Sequence, residues 1–442
     1  MAEWVGFAVG VLVVAWTAFS VFATLILPRG SVSRFTFVLR TLIVLLLVRP
    51  AERIRDWDRR DKVLAYRGPL FLVLQLGTWL TLFLVGFALI ALPQVGSFRG
   101  GFVFAGSSMF TLGFAQTTAD SNGLEATAFL CSAFGLVAVA LQISYLPVLY
   151  GAFNRRETLV TMLESRGGDP VWGPEVLARH VLVDIVDNLP QLYTDWETWA
   201  ADVAESHANY PALIFFRSPH PLRSWIIALL AVLDAAAIQM ALNPLTAPSE
   251  CRLVLRMGFT ALRDIASVLR IPFDPDPYPD DPISIDIDEF RRAYEHLQGA
   301  GWVAERSVED AYPHFQGWRI NYESNVYAIA DRIDAPPALW SGPRSHPITH
   351  EAPRRPEDRR PPREGGSQRE ELVEQSRRRR VARAMRGQTL PTSLRRIAEA
   401  RREVEEAQAA ANAASAVLDS IAGTSPDGDS AQSEEPSAPA RG

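Results

Sequence analysis

Cysteine is nearly missing from this chain: there are two in 442 residues, Cys131 inside a long apolar run and Cys251 well beyond it. That excludes a disulfide framework and a four-thiolate metal site. The charge balance is also close to even, with a formal net charge of -6, which names no polyanionic partner and gives no reason to expect nucleic-acid binding. There is no Gly-rich phosphate loop, no Gly-x-Ser-x-Gly and no paired-histidine zinc motif, so nothing argues for an enzyme or calls for a cofactor. No apolar helix carries arginine at every third position, which removes strong voltage sensing. Residues 157–336 lack alternating runs long enough for a sheet, and the apolar start of the chain lacks the basic leader and cleavage site of a signal peptide.

What the chain has instead is long uncharged apolar runs. Residues 69–93 and 126–153 contain no charged side chain, and at about 1.5 Å per residue each outspans a hydrocarbon core of about 30 Å. Residues 5–27 form a third such run, read as a membrane anchor. Residues 35–48 are shorter and carry Arg40, which suits a helix lying at the interface or a short span packed against others. With 48% hydrophobic and 21% charged residues, the chain fits a membrane module plus one further domain.

Basic residues orient these spans. Residues 49–67 hold seven Arg or Lys, and Arg155 and Arg156 follow the last run, whereas residues 94–125 carry only Arg99. The positive-inside rule puts 49–67 and everything after 154 in the cytoplasm and the loop before 126 outside, in a multi-pass protein of the cytoplasmic membrane. The N-terminus lies outside if 35–48 stays on the inner face, the favoured reading because Arg29, Arg34 and Arg40 prefer that side, and inside if 35–48 crosses.

Between the two long runs, residues 99–110 are short, apolar and rich in small residues, as expected of a helix that enters the membrane partway. Its C-terminal dipole would face a cavity where a cation loses water. Residues 111–115, Thr-Leu-Gly-Phe-Ala, would leave that helix extended, and such backbone is tolerated at membrane depth only where it lines a protein or water cavity.

The stretch Phe-Ala-Gly-Ser-Ser-Met-Phe-Thr-Leu-Gly-Phe-Ala (104–115) resembles the pore loop of potassium channels with two membrane helices around one loop. Residues 143–150, Asn154-Arg155-Arg156-Glu157, residues 205–211, Arg217-Ser218 and Ser224-Trp225 extend the resemblance to bacterial potassium channel family proteins over residues 5–335. It implies a homotetrameric cation pore in the lipid bilayer, whose carbonyl rings replace the hydration shell of K+ or, less selectively, Na+. Thr111 would then supply a hydroxyl and a carbonyl at the inner end of the filter, Leu112 and Gly113 the central carbonyls, and Phe114 the outermost. Ala115 replaces the last glycine of such filters and Gln116 the aspartate that usually follows, which disfavours positive φ by roughly 1 kcal/mol or more and leaves a weakly selective pore as an alternative. A non-conducting membrane-anchored receptor or scaffold is the alternative from another class. Gly135 and Pro147 along the inner helix read as a gating hinge or as static packing.

The fold class expected is therefore an all-α membrane protein with four parts. Residues 1–68 form an N-terminal anchor, and 69–156 a pore module with outer helix 69–93, pore helix 99–110, filter 111–115 and inner helix 126–153. Residues 157–340 form a cytoplasmic α-helical domain open to an unknown ligand, and 341–442 a disordered tail. In the cytoplasmic part the predicted helices are 174–188, 192–209, 223–243, 249–269, 286–300 and 308–333, with Ser249 and Asp195 as start signals. Residues 225–242 read as a buried bundle helix rather than a further span, because of Asp234 and flanking prolines. Residues 273–289 carry seven acids broken by prolines, which fits a solvated linker better than a calcium loop. His207, spaced with Asp202 and Glu205 on one helix face, reads as a surface or structural group rather than a metal ligand or proton sensor. In the tail, Arg377–Arg380 form a basic run, and Ile397, Val404, Leu418 and Ile421 with intervening alanines mark a weak heptad seam within a helix over 392–421.

Overall fold

The structure is a computed structural model that describes residues 1–27, 39, 41–113, 121–168 and 171–342. The chain divides at Ala382 and Arg383 into two units, and every described residue belongs to the first. The tail with its arginine run and heptad helix lies outside the described residues, as do Phe114, Ala115 and Gln116. Among the described residues there is no strand.

The first helix, α1 (Ala2–Leu25), packs along α4 (Arg67–Val95). Glycine sets their distance: a Cβ on Gly10 would sit 2.6 Å from the Gly86 carbonyl oxygen and 2.9 Å from the Ile90 nitrogen. Gly6 faces Leu92, while Ser20 accepts a 3.2 Å hydrogen bond from the Trp79 indole, so the two helices are antiparallel. Chain direction therefore brings the N-terminus to the end of α4 marked by Val95, and Leu25 to the end marked by Arg67. Between them lie α2 (Thr41–Ala51), which opens into π turns over Val44–Val48, and α3 (Trp57–Ala65). This segment starts and finishes at the same end of α4.

After α4 come α5 (Phe98–Met109) and α6 (Asn122–Gly167). The sequence ended the inner helix near residue 153, where charge begins; in the structure it runs on to Gly167, 46 residues or about 69 Å. Nothing stops it at Asn154, because the charged residues that follow are good helix formers with partners of their own. The helix also passes through Pro147 without interruption.

The remaining helices are α7 (Gly173–Leu182), α8 (Leu189–Asn209), α9 (Trp225–Leu242), α10 (Glu250–Leu269), α11 (Ile287–Gly299), α12 (Val308–Arg319) and α13 (Glu323–Arg332). They surround α9, in which every residue but Met240 is buried. A helix apolar all round is stable in a core or a membrane, and here the shell of amphipathic helices supplies the core. By contrast, α1 and α6 expose apolar side chains, including Leu12 at 70%, Phe19 at 62%, Phe129 at 76% and Leu136 at 71%. Patches of this kind are not stable in water and mark the lipid-facing surface.

Two helix boundaries differ from the sequence reading for local reasons. Asp195 does not start a helix; it lies within α8, which begins at Leu189 with Pro190 in its first turn. Ser249 does start α10 from its N-cap position, although its hydroxyl bonds the Glu250 carboxylate rather than a backbone amide. The predicted helix 308–333 is broken at residues 320–322. The break lets Arg319 and Tyr322 reach the same buried carboxylate, Asp234, at 2.5 and 2.8 Å.

Candidate functional site

Helix α5 is wedged between α4 and α6 at the end opposite the helical domain. Ser97 caps it by accepting from the Gly100 amide at 3.2 Å. On one side a Cβ at Gly101 would lie 2.5 Å from the Ala88 carbonyl oxygen; on the other the Cys131 thiol donates to the Ala105 carbonyl and the Ser132 hydroxyl to the Ser108 carbonyl, at 3.3 and 2.7 Å. At its tip, Met109 touches Gly135, where a Cβ would come within 2.5 Å of the Met109 Cγ. Gly135 thus has a packing reason to be small. Lying 13 residues into α6, it fixes the tip of α5 about 20 Å below that helix's start.

The chain leaves α5 by a left-handed turn, not in the extended form expected from sequence. Phe110 has φ -94 and Thr111 φ 54, Leu112 is negative, and Gly113 has φ 71, so the sign of φ alternates. The Leu112 amide donates to Ser107 O at 2.9 Å and the Thr111 amide to Ser108 O at 3.2 Å, a Schellman-type closure that consumes two of the helix's terminal carbonyls. A β-branched residue in this region costs roughly 1–2 kcal/mol, and strain of this kind gathers at functional sites. The carbonyl oxygens of Thr111, Leu112 and Gly113 have no partner among the described residues. Phe110 and Leu112 are about half exposed, and nothing lies within 4 Å of a Cβ placed on Gly113. The segment exposes Phe110 and Leu112 and offers these main-chain acceptors no partner among the described residues.

At the other end of α6 sits a second cluster. The fully buried Arg156 donates to Glu157 at 2.9 Å, to the carbonyls of Leu213 and Phe216 at 2.9 and 2.7 Å, and stands 3.1 Å from His207 Nε2, while its own carbonyl accepts from the Trp199 indole. The 3-10 turn Pro211–Phe215 and Phe216 are thereby pinned against both long helices near Gly68 and Leu149: Phe216 fills the space beside Gly68 of α4, and Leu213 packs with Leu72 and Leu149. His207 therefore faces Arg156 rather than Asp202 and Glu205; Asp202 pairs with Arg155 instead. Burial and the neighbouring guanidinium hold His207 well below its ordinary pKa, so it is neutral. No residue of the sequence reading singled out Arg156 alone, although its motif, with His207, Tyr210, Arg217 and Trp225, was among those carrying the resemblance. The structure brings these scattered motifs together around one turn.

Helix α3 docks on the same domain. Arg60 forms a bidentate pair with Asp334 at 2.9 Å, Asp61 pairs with Arg217, and the Trp57 indole donates to the Pro221 carbonyl at 2.7 Å. The basic stretch and the helical domain thus lie at the same end of the long helices. Deeper in the domain, Arg319 is held charged, well above its ordinary pKa; burial is the largest single effect and opposes the charge, but Asp234, Tyr327, Tyr322 and Glu323 together outweigh it. Among the described residues no cluster of His, Cys, Asp or Glu is arranged to hold a metal, and 273–286 forms a turn-rich connection into α11, with Asp281 accepting from the Tyr278 amide.

Comparison with known proteins adds one relative. The chain is 27% identical over 186 residues to the uncharacterized membrane protein YdjJ of Bacillus subtilis (strain 168), a match covering 40% of this chain and 53% of that protein, so it spans about half of the relative's length. No family model matches the chain, and no solved structure matches it. The long apolar helices and this relative together define the chain as an all-α membrane protein.

Proposed function

We propose that the protein is a non-enzymatic cation channel of the cytoplasmic membrane, assembled as a homotetramer, with α4, α5, residues 111–115 and α6 as its pore module and K+ as the preferred ion. The observation that carries this reading is the segment after α5, which ends partway along the two long helices and carries main-chain oxygens without a partner among the described residues, with φ of alternating sign. Among the described residues of one protomer those oxygens have no partner, and several copies around one axis would give them one in coordinating a dehydrated cation. The positive-inside rule places the α3 and helical-domain end in the cytoplasm and the N-terminus outside. The domain's grip on α6 through Arg156 gives a route by which a cytoplasmic ligand would act on the pore; Gly135 and Pro147 are the positions on that helix where bending would be absorbed.

A weakly selective cation pore is the second reading, favoured by Ala115 and Gln116 where filters carry glycine and aspartate. Reversal potentials of the purified protein in planar bilayers under K+ and Na+ gradients separate the two: a permeability ratio near one rejects K+ preference. Absence of ion flux in proteoliposomes, with Gly113→Asp indistinguishable from wild type, rejects the pore and leaves a membrane-anchored receptor or scaffold.

A further inference from the structure

A narrow open cleft with about 260 Å³ of unfilled space lies between the turn Pro211–Phe215, the loop returning from it to α9, and residues 333–336. Its interior takes about one water-sized atom at a time, and no carboxylate lines it. Three of its lining residues, Ser218, Arg223 and Trp225, carry a buried side-chain donor without a hydrogen-bond partner: the Ser218 hydroxyl, the Arg223 Nε and the Trp225 indole nitrogen. Ser218 is 5% exposed and Trp225 1%.

The same cleft receives the start of α9, an 18-residue helix. Ser224 holds the N-cap position without making the side-chain bond that usually satisfies a first-turn amide, so the amides of Trp225, Ile226 and Ile227 have no partner among the described residues. The positive end of the helix dipole is thus directed at the cleft. The other arms of the two arginines are already committed. Arg217 binds Asp61 and the carbonyls of Ile333 and Asp334, and Arg223 binds Glu164 and Thr161 on α6.

What remains unpaired at this cleft is a set of donors. One water can accept only two hydrogen bonds and must then place its own two protons, and among the side chains that line the cleft only the Ser218 and Ser224 hydroxyls could take them. An anion with several acceptor oxygens answers the set better, and a helix N-terminus with an arginine beside it favours negative charge. We propose that this cleft is a binding site for a phosphoryl oxyanion, with one oxygen inserted between Ser218, Arg223 and the first turn of α9. The turn that forms its wall packs on α4 and α6 near Gly68 and Leu149, so a phospholipid headgroup and a water-soluble phosphate share the required chemistry. The assignment does not rest on ion conduction.

The test uses the full-length protein in phosphatidylcholine nanodiscs, followed by thermal unfolding. One arm titrates inorganic phosphate against chloride at constant ionic strength; the other adds a minor fraction of phosphatidic acid to the disc. Saturable stabilisation is expected in at least one arm, the first identifying a soluble phosphate and the second alone a headgroup. Ser218→Ala should melt no lower than wild type without phosphate, because it removes only an unpartnered hydroxyl, yet its phosphate or lipid midpoint should be weaker by about tenfold. Arg223→Lys, which keeps a cation for Glu164 and loses the Nε donor, should weaken it similarly. Stabilisation no greater than chloride gives in both arms, or a Ser218→Ala response equal to wild type, overturns the site.

Discussion

Replacing Arg156 by Met isolates the grip of the helical domain on α6. Met fills much of the same volume but leaves the carbonyls of Leu213 and Phe216 without their donor and the buried Glu157 carboxylate without its cation. Removing one partner of a buried pair costs about 3–5 kcal/mol, because the uncompensated charge stays behind. In a helical domain of roughly 180 residues each kcal/mol lowers the melting temperature by about 2–4 °C, so a drop of roughly 6–20 °C follows. The adjacent Arg155 supplies the control. Its pair with Asp202 is exposed, with side-chain exposures of 61% and 36%, so Arg155→Met should cost less than about 1 kcal/mol. Adding Glu157→Gln to Arg156→Met should recover part of the loss, since the orphaned charge is then gone. Near-UV circular dichroism of the detergent-solubilised variants measures all three. If Arg156→Met melts within about 2 °C of Arg155→Met, the buried cluster is not what ties α6 to the domain.

Protonation gives a second handle. His207 in the folded protein titrates well below 6.5, whereas in the unfolded chain it takes up a proton near that value, so the unfolded state binds more protons once the pH falls below 6.5. Stability should decline from pH 6.5 downward by up to about 1.4 kcal/mol per pH unit from this residue, and His207→Gln should remove that share of the slope in melts between pH 7 and about 5. Gly10→Leu should drive α1 off α4, because the clash is with backbone at 2.6 Å, whereas Gly77→Leu, with nothing within 4 Å, should leave melting unchanged; size-exclusion profiles and melts distinguish them. Gly135→Val should push against Met109 and cost about 1–3 kcal/mol, with Met109→Ala in the same chain restoring part of it. A Gly135→Val protein as stable as wild type would return that glycine to the role of a free hinge.

Long elements were legible in the sequence because lipid and the domain core both demand uninterrupted apolar runs. The spans 5–27, 69–93 and 126–153, the short helix before Thr111 and the buried identity of 225–242 all follow from that demand. The end of α6 was not legible, since continuing a helix into water takes no apolar signal, only good helix formers and docked neighbours. The break at 320–322 was hidden for a related reason: it serves Asp234, which lies 85 residues before Arg319. The turn at Thr111 likewise depends on where the Ser107 and Ser108 carbonyls sit, not on the propensity of threonine. The surroundings of His207 were misread because helix spacing points to Asp202 and Glu205, while the partner it meets comes from another helix.

The uninterrupted run of α6 from Asn122 to Gly167 carries a consequence for how such a chain can vary. One residue inserted near Asn154 would rotate everything beyond it by about 100° and lift it by about 1.5 Å, tearing Arg156 from its cage while Phe216 stayed against Gly68. Length changes there are tolerable only near whole turns, so the two halves of the molecule are phased to each other like gears on a common shaft.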